Sequence, residues 1–176
     1  MPDRPDFADR HALNRRERLQ PSLLDRLTDN APTETRDSPD TQVLTLKQLR
    51  LAVLRDLSWL FNTTHLGAID DLAPFPTAAG STLNFGIPSL AGMIESGMKT
   101  AELERRLADV IKTYEPRIRP ETLRVRARAI EGAMPALVME ITGELWAQPV
   151  PIPLFLETRV DVETRLAVIR DMKAEG

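Results

Sequence analysis

The chain has 176 residues, a formal net charge of −3, 14 prolines and no cysteine. That length suits one domain with a sizeable core, and the missing cysteines exclude disulfides, thiolate metal sites and cysteine nucleophiles. The slight negative balance gives no global attraction to nucleic acid or anionic lipid. No apolar run approaches the length of a membrane span, and MPDRPDFADRHALNRRERL lacks the apolar region of a signal peptide. The expectation is a soluble cytoplasmic protein without membrane insertion.

Residues 1–44 are rich in Pro, Asp, Arg and Thr and read as a flexible N-terminal segment, with DNAPTETRDSPDTQ as a linker. Within it, PSLLDRLTD predicts a short docking helix near 22–29, started at Pro21-Ser22 and apolar at Leu23, Leu24 and Leu27. So short a helix needs a surface to dock on, either its own domain or a partner. The folded part, 45–176, opens with a capping box at Thr45 and Gln48, then Leu46, Leu49, Val53, Leu57 and Leu60 at helical spacing. That helix fades around NTTHL. APFPTAAGSTLNFGIPSLAGM, punctuated by Pro74, Pro76, Gly80, Gly86 and Pro88, reads as mostly loop. A second helix begins at Thr100, with Glu102 and Glu104 in its first turn and Leu103, Leu107, Ile111 and Tyr114 as its buried stripe. Pro116 ends it, because the residue before a proline is pushed out of the helical region.

Strands follow. LRVRARA puts Leu123, Val125, Ala127 and Ala129 on one face and Arg124, Arg126 and Arg128 on the other. LVMEITGELW repeats the alternation with Leu137, Met139, Ile141 and Leu145, and IEGAMP supplies Gly132 and Pro135 for a hairpin between the two. LFLETRVDV makes a third strand and RLAVIRD a short fourth. The fold class is α+β: N-terminal helices packed on one face of an antiparallel meander.

The residues that carry chemistry are few. His11 lies in the tail and His65 at a helix end, so neither a nucleophilic triad nor a metal site is built, and no cofactor is expected. GSTLNFG lacks the spacing of a phosphate loop. The arginines of the first strand lack the stacking aromatics of a nucleic-acid binder. Glu140, Glu144 and Glu157 are placed to pair with them across strands. Glu115 is the unusual acid, a carboxylate in a helix's last turn, where the macrodipole disfavours it. Arg117 two residues away lowers a carboxylate pKa, which suits a permanently ionised partner and not a general acid.

Five stretches in order, PSLLDRLTD, LRLAVLRDLSWLFNT, STLNFGIPSLAG, YEPRI and LFLETRVDVET, resemble the TssE family of type VI secretion baseplate wedge proteins. That family is itself similar to the wedge protein of contractile-phage baseplates, still often labelled lysozyme-like. The resemblance runs from about Pro21 to Ile169. One departure stands out: Thr164 is followed by Arg165 where the last hairpin usually carries Thr-Gly.

The resemblance implies a structural, non-enzymatic role in the cytoplasm, at the inner face of the inner membrane. Its implied partners are the baseplate proteins TssF and TssG, with TssK, and the sheath proteins TssB and TssC, whose first ring it would template. The implied partner-binding residues are Leu24, Asp25, Arg26 and Leu27 in the docking helix, and Glu115, Pro116 and Arg117 in the Glu-Pro-Arg motif. On this reading Pro116 holds Glu115 and Arg117 as a rigid charged knuckle that enters an interface. The internal alternative pairs Glu115 with Arg117, with Arg119 or with the strand arginines. Two other functions fit the same resemblance less directly: a peptidoglycan-cleaving lysozyme-like enzyme, and an anti-adaptor-type regulatory binding module.

Overall fold

A computed structural model describes residues 22–28, 32–33, 45–88, 99–130, 136–147, 151–161, 164 and 166–172. Most of the expected linker, the hairpin connector at 131–135, the end of the loop at 89–98, His11 and Arg165 lie outside the described residues.

The chain forms two compact units, Met1–Ala52 with Ala147–Pro151, and Val53–Trp146 with Ile152–Gly176. The first holds helix α1 (Leu23–Leu27) and the opening turns of α2 (Leu46–Phe61). A reciprocal capping box starts α1: Ser22 Oγ accepts from Asp25 N at 3.2 Å, and Asp25 Oδ2 accepts from Ser22 N at 3.3 Å. Leu23, Leu24 and Leu27 are all exposed. The same device starts α2, where Thr45 Oγ1 accepts from Gln48 N at 3.2 Å and Gln48 Oε1 from Thr45 N at 2.8 Å. Leu49 and Ala52 are buried here, whereas Leu46 is exposed because it is the first helical residue, one turn ahead of the buried stripe.

The second unit carries the rest of α2, with Val53, Leu57, Leu60 and Phe61 buried. Two 3-10 turns, Leu66–Ala68 and Thr82–Asn84, flank a one-turn helix α3 (Pro76–Ala79), and helix α4 (Thr100–Tyr114) follows. The stretch read as loop is therefore pinned at several points. Thr64 and Ile87 form a parallel bridge, and Asn84 Oδ1 accepts from Gly67 N at 2.9 Å while its Nδ2 donates to Ala79 O at 2.9 Å. Helix α4 buries Leu103, Leu107 and Ile111 as its periodicity predicts. Tyr114 is half-buried, with its hydroxyl donating toward Asn84 O at 2.8 Å and its ring edge-on to Phe85.

The sheet runs β1 (Arg124–Ile130), β2 (Ala136–Leu145), β3 (Ile152–Asp161) and β4 (Ala167–Asp171) in chain order, every pair antiparallel. The α+β class and the fourth strand are as the sequence predicts. One face buries Val125, Leu137, Met139, Ile141, Leu145, Leu154, Leu156 and Val160. On the other, register lines up Arg126, Glu140, Glu157 and Arg170 across the four strands, so two like charges on the central pair are each flanked by an arginine. Val138 lies on this second face yet is buried, because register sets it between Arg128 and Arg159, whose methylene stems can cover it. Strict alternation therefore understates the burial of β2.

Thr158 on the core face is fully buried, and among the described residues no group bonds its Oγ1. An unmatched buried hydroxyl costs about 1–3 kcal/mol. Thr158→Val should therefore raise stability by roughly 1 kcal/mol. Thermal melting checks this; an unchanged or lower midpoint would mean that the hydroxyl is bonded in solution.

Candidate assembly interface

The Glu115–Pro116–Arg117 motif sits where α4 turns into the sheet. Glu115 caps the helix, its N–H still bonded to Ile111 O at 2.8 Å while its own φ and ψ of −124° and 73° have left the helical region, as a following proline requires. The chain then runs alongside β2. Ile118 and Leu145 form an antiparallel bridge, Trp146 N donates to Arg117 O at 2.7 Å, and Arg119 N to Glu144 O at 2.9 Å. Backbone bonds on both sides thus fix the knuckle.

The Glu115 side chain is only 2% exposed. Arg117 grips it with one edge of its guanidinium. Nε donates to Oε1 at 2.6 Å and Nη2 to Oε2, while the Arg117 N–H donates to Oε1 at 3.2 Å. Nη2 also reaches Asp56 Oδ2 at 2.5 Å. Burial works against the charged guanidinium, but the hydrogen bonds and charges of Glu115 and then Asp56 outweigh it and raise its pKa above the ordinary arginine value. The dipole penalty on Glu115 is thereby met by a bidentate cation, the strongest kind of charge-assisted contact.

The ion-pair chain continues outward. Asp56 Oδ1 accepts from Arg55 Nε at 2.8 Å, and the Arg55 guanidinium lies 5.1 Å from the centre of the Trp59 ring. Trp59 and Trp146 are 49% and 61% exposed. A buried acid at one end is therefore coupled, through the half-buried Arg55, to an exposed tryptophan at the other. Among the described residues no acceptor reaches Arg117 Nη1.

Of the internal partners expected for Glu115, the fold brings Arg117, itself bonded to Asp56, and not Arg119 or a strand arginine. Arg119 instead meets Glu121 at 2.7 Å and Glu144 at 3.2 Å. Arg126 pairs with Glu104 of α4 at 3.3 Å, and Arg128 with Glu140 at 3.9 Å. Asp56 was not legible as part of this group. It lies 61 residues from Arg117, and the only local signal is a charged residue directly beside the buried Leu57.

Catalysis finds little support here. A glycosidase acid must touch its substrate, whereas Glu115 is shut from solvent and locked to a guanidinium. Among the described residues no cluster of histidine and carboxylate side chains could hold a metal. His65 lies just past the end of α2, its Nδ1 3.1 Å from Asn84 Oδ1. With Asn84, Arg106, Asp109 and Tyr114 it lines an open cleft of about 280 Å³.

Residues 47–150 match the family described as Baseplate wedge protein gp25, and the chain belongs to that family. The membership agrees with the TssE-type resemblance and gives the protein a structural baseplate role, with other baseplate proteins as its partners. The matched span covers α2 to β2, with β3 and β4 beyond it. No curated protein and no solved structure matches the chain. Among the described residues no helix is long and apolar enough to cross a membrane.

Proposed function

We propose that this chain is the TssE-type wedge subunit of a bacterial type VI secretion baseplate. It binds TssF and TssG near TssK, and it templates the first ring of the TssB–TssC sheath on the cytoplasmic face of the inner membrane. The observation that carries this reading is the wedge-family match, with the docking-helix, Glu-Pro-Arg and C-terminal strand motifs in order along the chain.

Two surfaces bind the baseplate partners. The first is α1, where Leu24, Arg26 and Leu27 are exposed and Asp25 both faces the partner and closes the capping box. The second is the knuckle of Glu115, Pro116 and Arg117, beside which the Arg55–Trp59 pair presents an exposed indole. Arginine and tryptophan are the residue types that dominate binding energy at interfaces. The sheet supplies the sheath contact by strand addition, which uses backbone bonds and constrains sequence little.

Replacing Leu24 and Leu27 together with Asp tests the first surface. Each is exposed, so the melting of the 45–176 domain should stay unchanged, while co-purification with TssF and TssG falls roughly 10- to 100-fold, as for the loss of two moderate anchors. Loss of cooperative melting with binding intact would show that α1 packs within the chain and would remove it from the interface.

A further inference from the structure

Asn84 is held from both ends of its amide, and this fixes the chemistry of a neighbouring ring. Its Oδ1 accepts from Gly67 N at 2.9 Å and its Nδ2 donates to Ala79 O at 2.9 Å, so two backbone partners set its orientation. His65 Nδ1 lies 3.1 Å from the same Oδ1. An acceptor there requires a donor opposite it, so the neutral His65 ring carries its proton on Nδ1. Nε2 is then a bare acceptor, and among the described residues no group bonds it.

That ring lines the open cleft of about 280 Å³ bounded by the long loop and α4. The rest of the lining is chiefly apolar, with Pro88, Val110 and the Tyr114 ring. Its charged residues are Arg106 and Asp109, one of each sign, which give no net pull on an ion. The walls are preset. Tyr114 Oη meets Asn84 O at 2.8 Å and Ser81 O at 3.1 Å, and the Thr64–Ile87 bridge closes the base of the loop. Size, polarity and charge together select one kind of guest. The volume falls just under the roughly 300–1,000 Å³ of sites for drug-sized ligands, which leaves room for one large side chain. Its body must be apolar, it must be uncharged, and it must present one donor to Nε2. Tryptophan and tyrosine are the side chains that meet all three conditions.

We propose that this cleft receives a tryptophan or tyrosine side chain of a baseplate partner, its ring against the apolar lining and its N–H or O–H donating to His65 Nε2. This rests on the baseplate role above and adds a pocket to the surfaces already described. An amphipathic aromatic seated in a desolvated pocket is the form that interface anchors commonly take.

The test uses the full chain with labelled histidine ring nitrogens, at about pH 8, where an ordinary imidazole is neutral. Indole is the probe, and N-methylindole, the same body without the donor, is its control. The sequence has two histidines, so His65→Asn identifies the signal that belongs to the cleft. Before any addition, His65 should show the Nδ1–H tautomer. Indole should move the Nε2 resonance, and N-methylindole should bind about tenfold more weakly, as for the loss of one neutral hydrogen bond. A ring protonated on Nε2, equal binding of the two probes, or no shift with millimolar indole would each overturn the site. Val110→Trp, which fills the cleft from α4, carries the test to the partner. It should abolish the indole shift and lower co-purification with TssF and TssG about tenfold or more. Thr113→Trp fills the cleft from an exposed position, so a folding defect in the first variant does not decide the result. Unchanged co-purification with a filled cleft would overturn the partner contact. If the parent chain brings down neither protein, the TssF and TssG reading fails, and the indole titration still decides the cleft.

Discussion

Arg117→Ala is expected to lower folding stability by about 3–5 kcal/mol, because it leaves the Glu115 carboxylate buried without its cation. Asp56 loses the same partner. The sequence reading places the motif in an interface, and burial of Glu115 makes it part of the fold as well. Pairing Arg117→Met with Glu115→Gln should recover much of the loss, since no charge is then stranded, and a double-mutant cycle isolates the coupling. Arg117→Lys should recover only part, as an ammonium cannot grip both carboxylate oxygens. The decisive measurements are denaturant unfolding and affinity for the wedge partners, made on the same variants. A loss under about 1 kcal/mol for Arg117→Ala would show the pair to be solvated, as exposed ion pairs are.

Gly86→Ala should be the other severe substitution, costing upwards of about 3 kcal/mol. Gly86 has φ of +123°, a region closed to other residues, and an added Cβ would stand 2.4 Å from Thr63 O and 2.9 Å from His65 N. Those two atoms belong to the parallel bridge between Thr64 and Ile87, which ties the end of α2 to the long loop, so neither can move aside cheaply. Gly80→Ala is the control: the nearest atom to its Cβ is Pro76 O at 3.7 Å, and its φ is −93°. It should be neutral or stabilising by a few tenths of a kcal/mol, through the unfolded chain. Comparable melting of the two variants would refute the strain argument.

Much of the fold could be read from periodicity. The buried stripes of α2 and α4 repeat at helical spacing, and both capping boxes are local, so their partners are three residues apart in the sequence. The alternation of β1 and β2 gave the face but not the second-side burial of Val138, which depends on arginines in two other strands. The candidate site was half legible. Glu-Pro-Arg marks itself by a carboxylate at the wrong end of a helix, but Asp56 joins it only through the fold. Asn62 and Glu104 were illegible for a similar reason. A polar side chain at a helix end or within a helix looks solvated, and nothing nearby in sequence shows that it caps a strand 105 or 23 residues away.

The ion-pair chain also has an optical consequence. The sequence contains two tryptophans, and both hang from Arg117: Trp146 through its backbone N–H, and Trp59 through Arg55 and Asp56. Both indoles stand in solvent. The intrinsic fluorescence of this protein is therefore a reporter of the knuckle and of little else. A partner seated there would shield the indoles from a soluble quencher and shift their emission to the blue, without any label being attached.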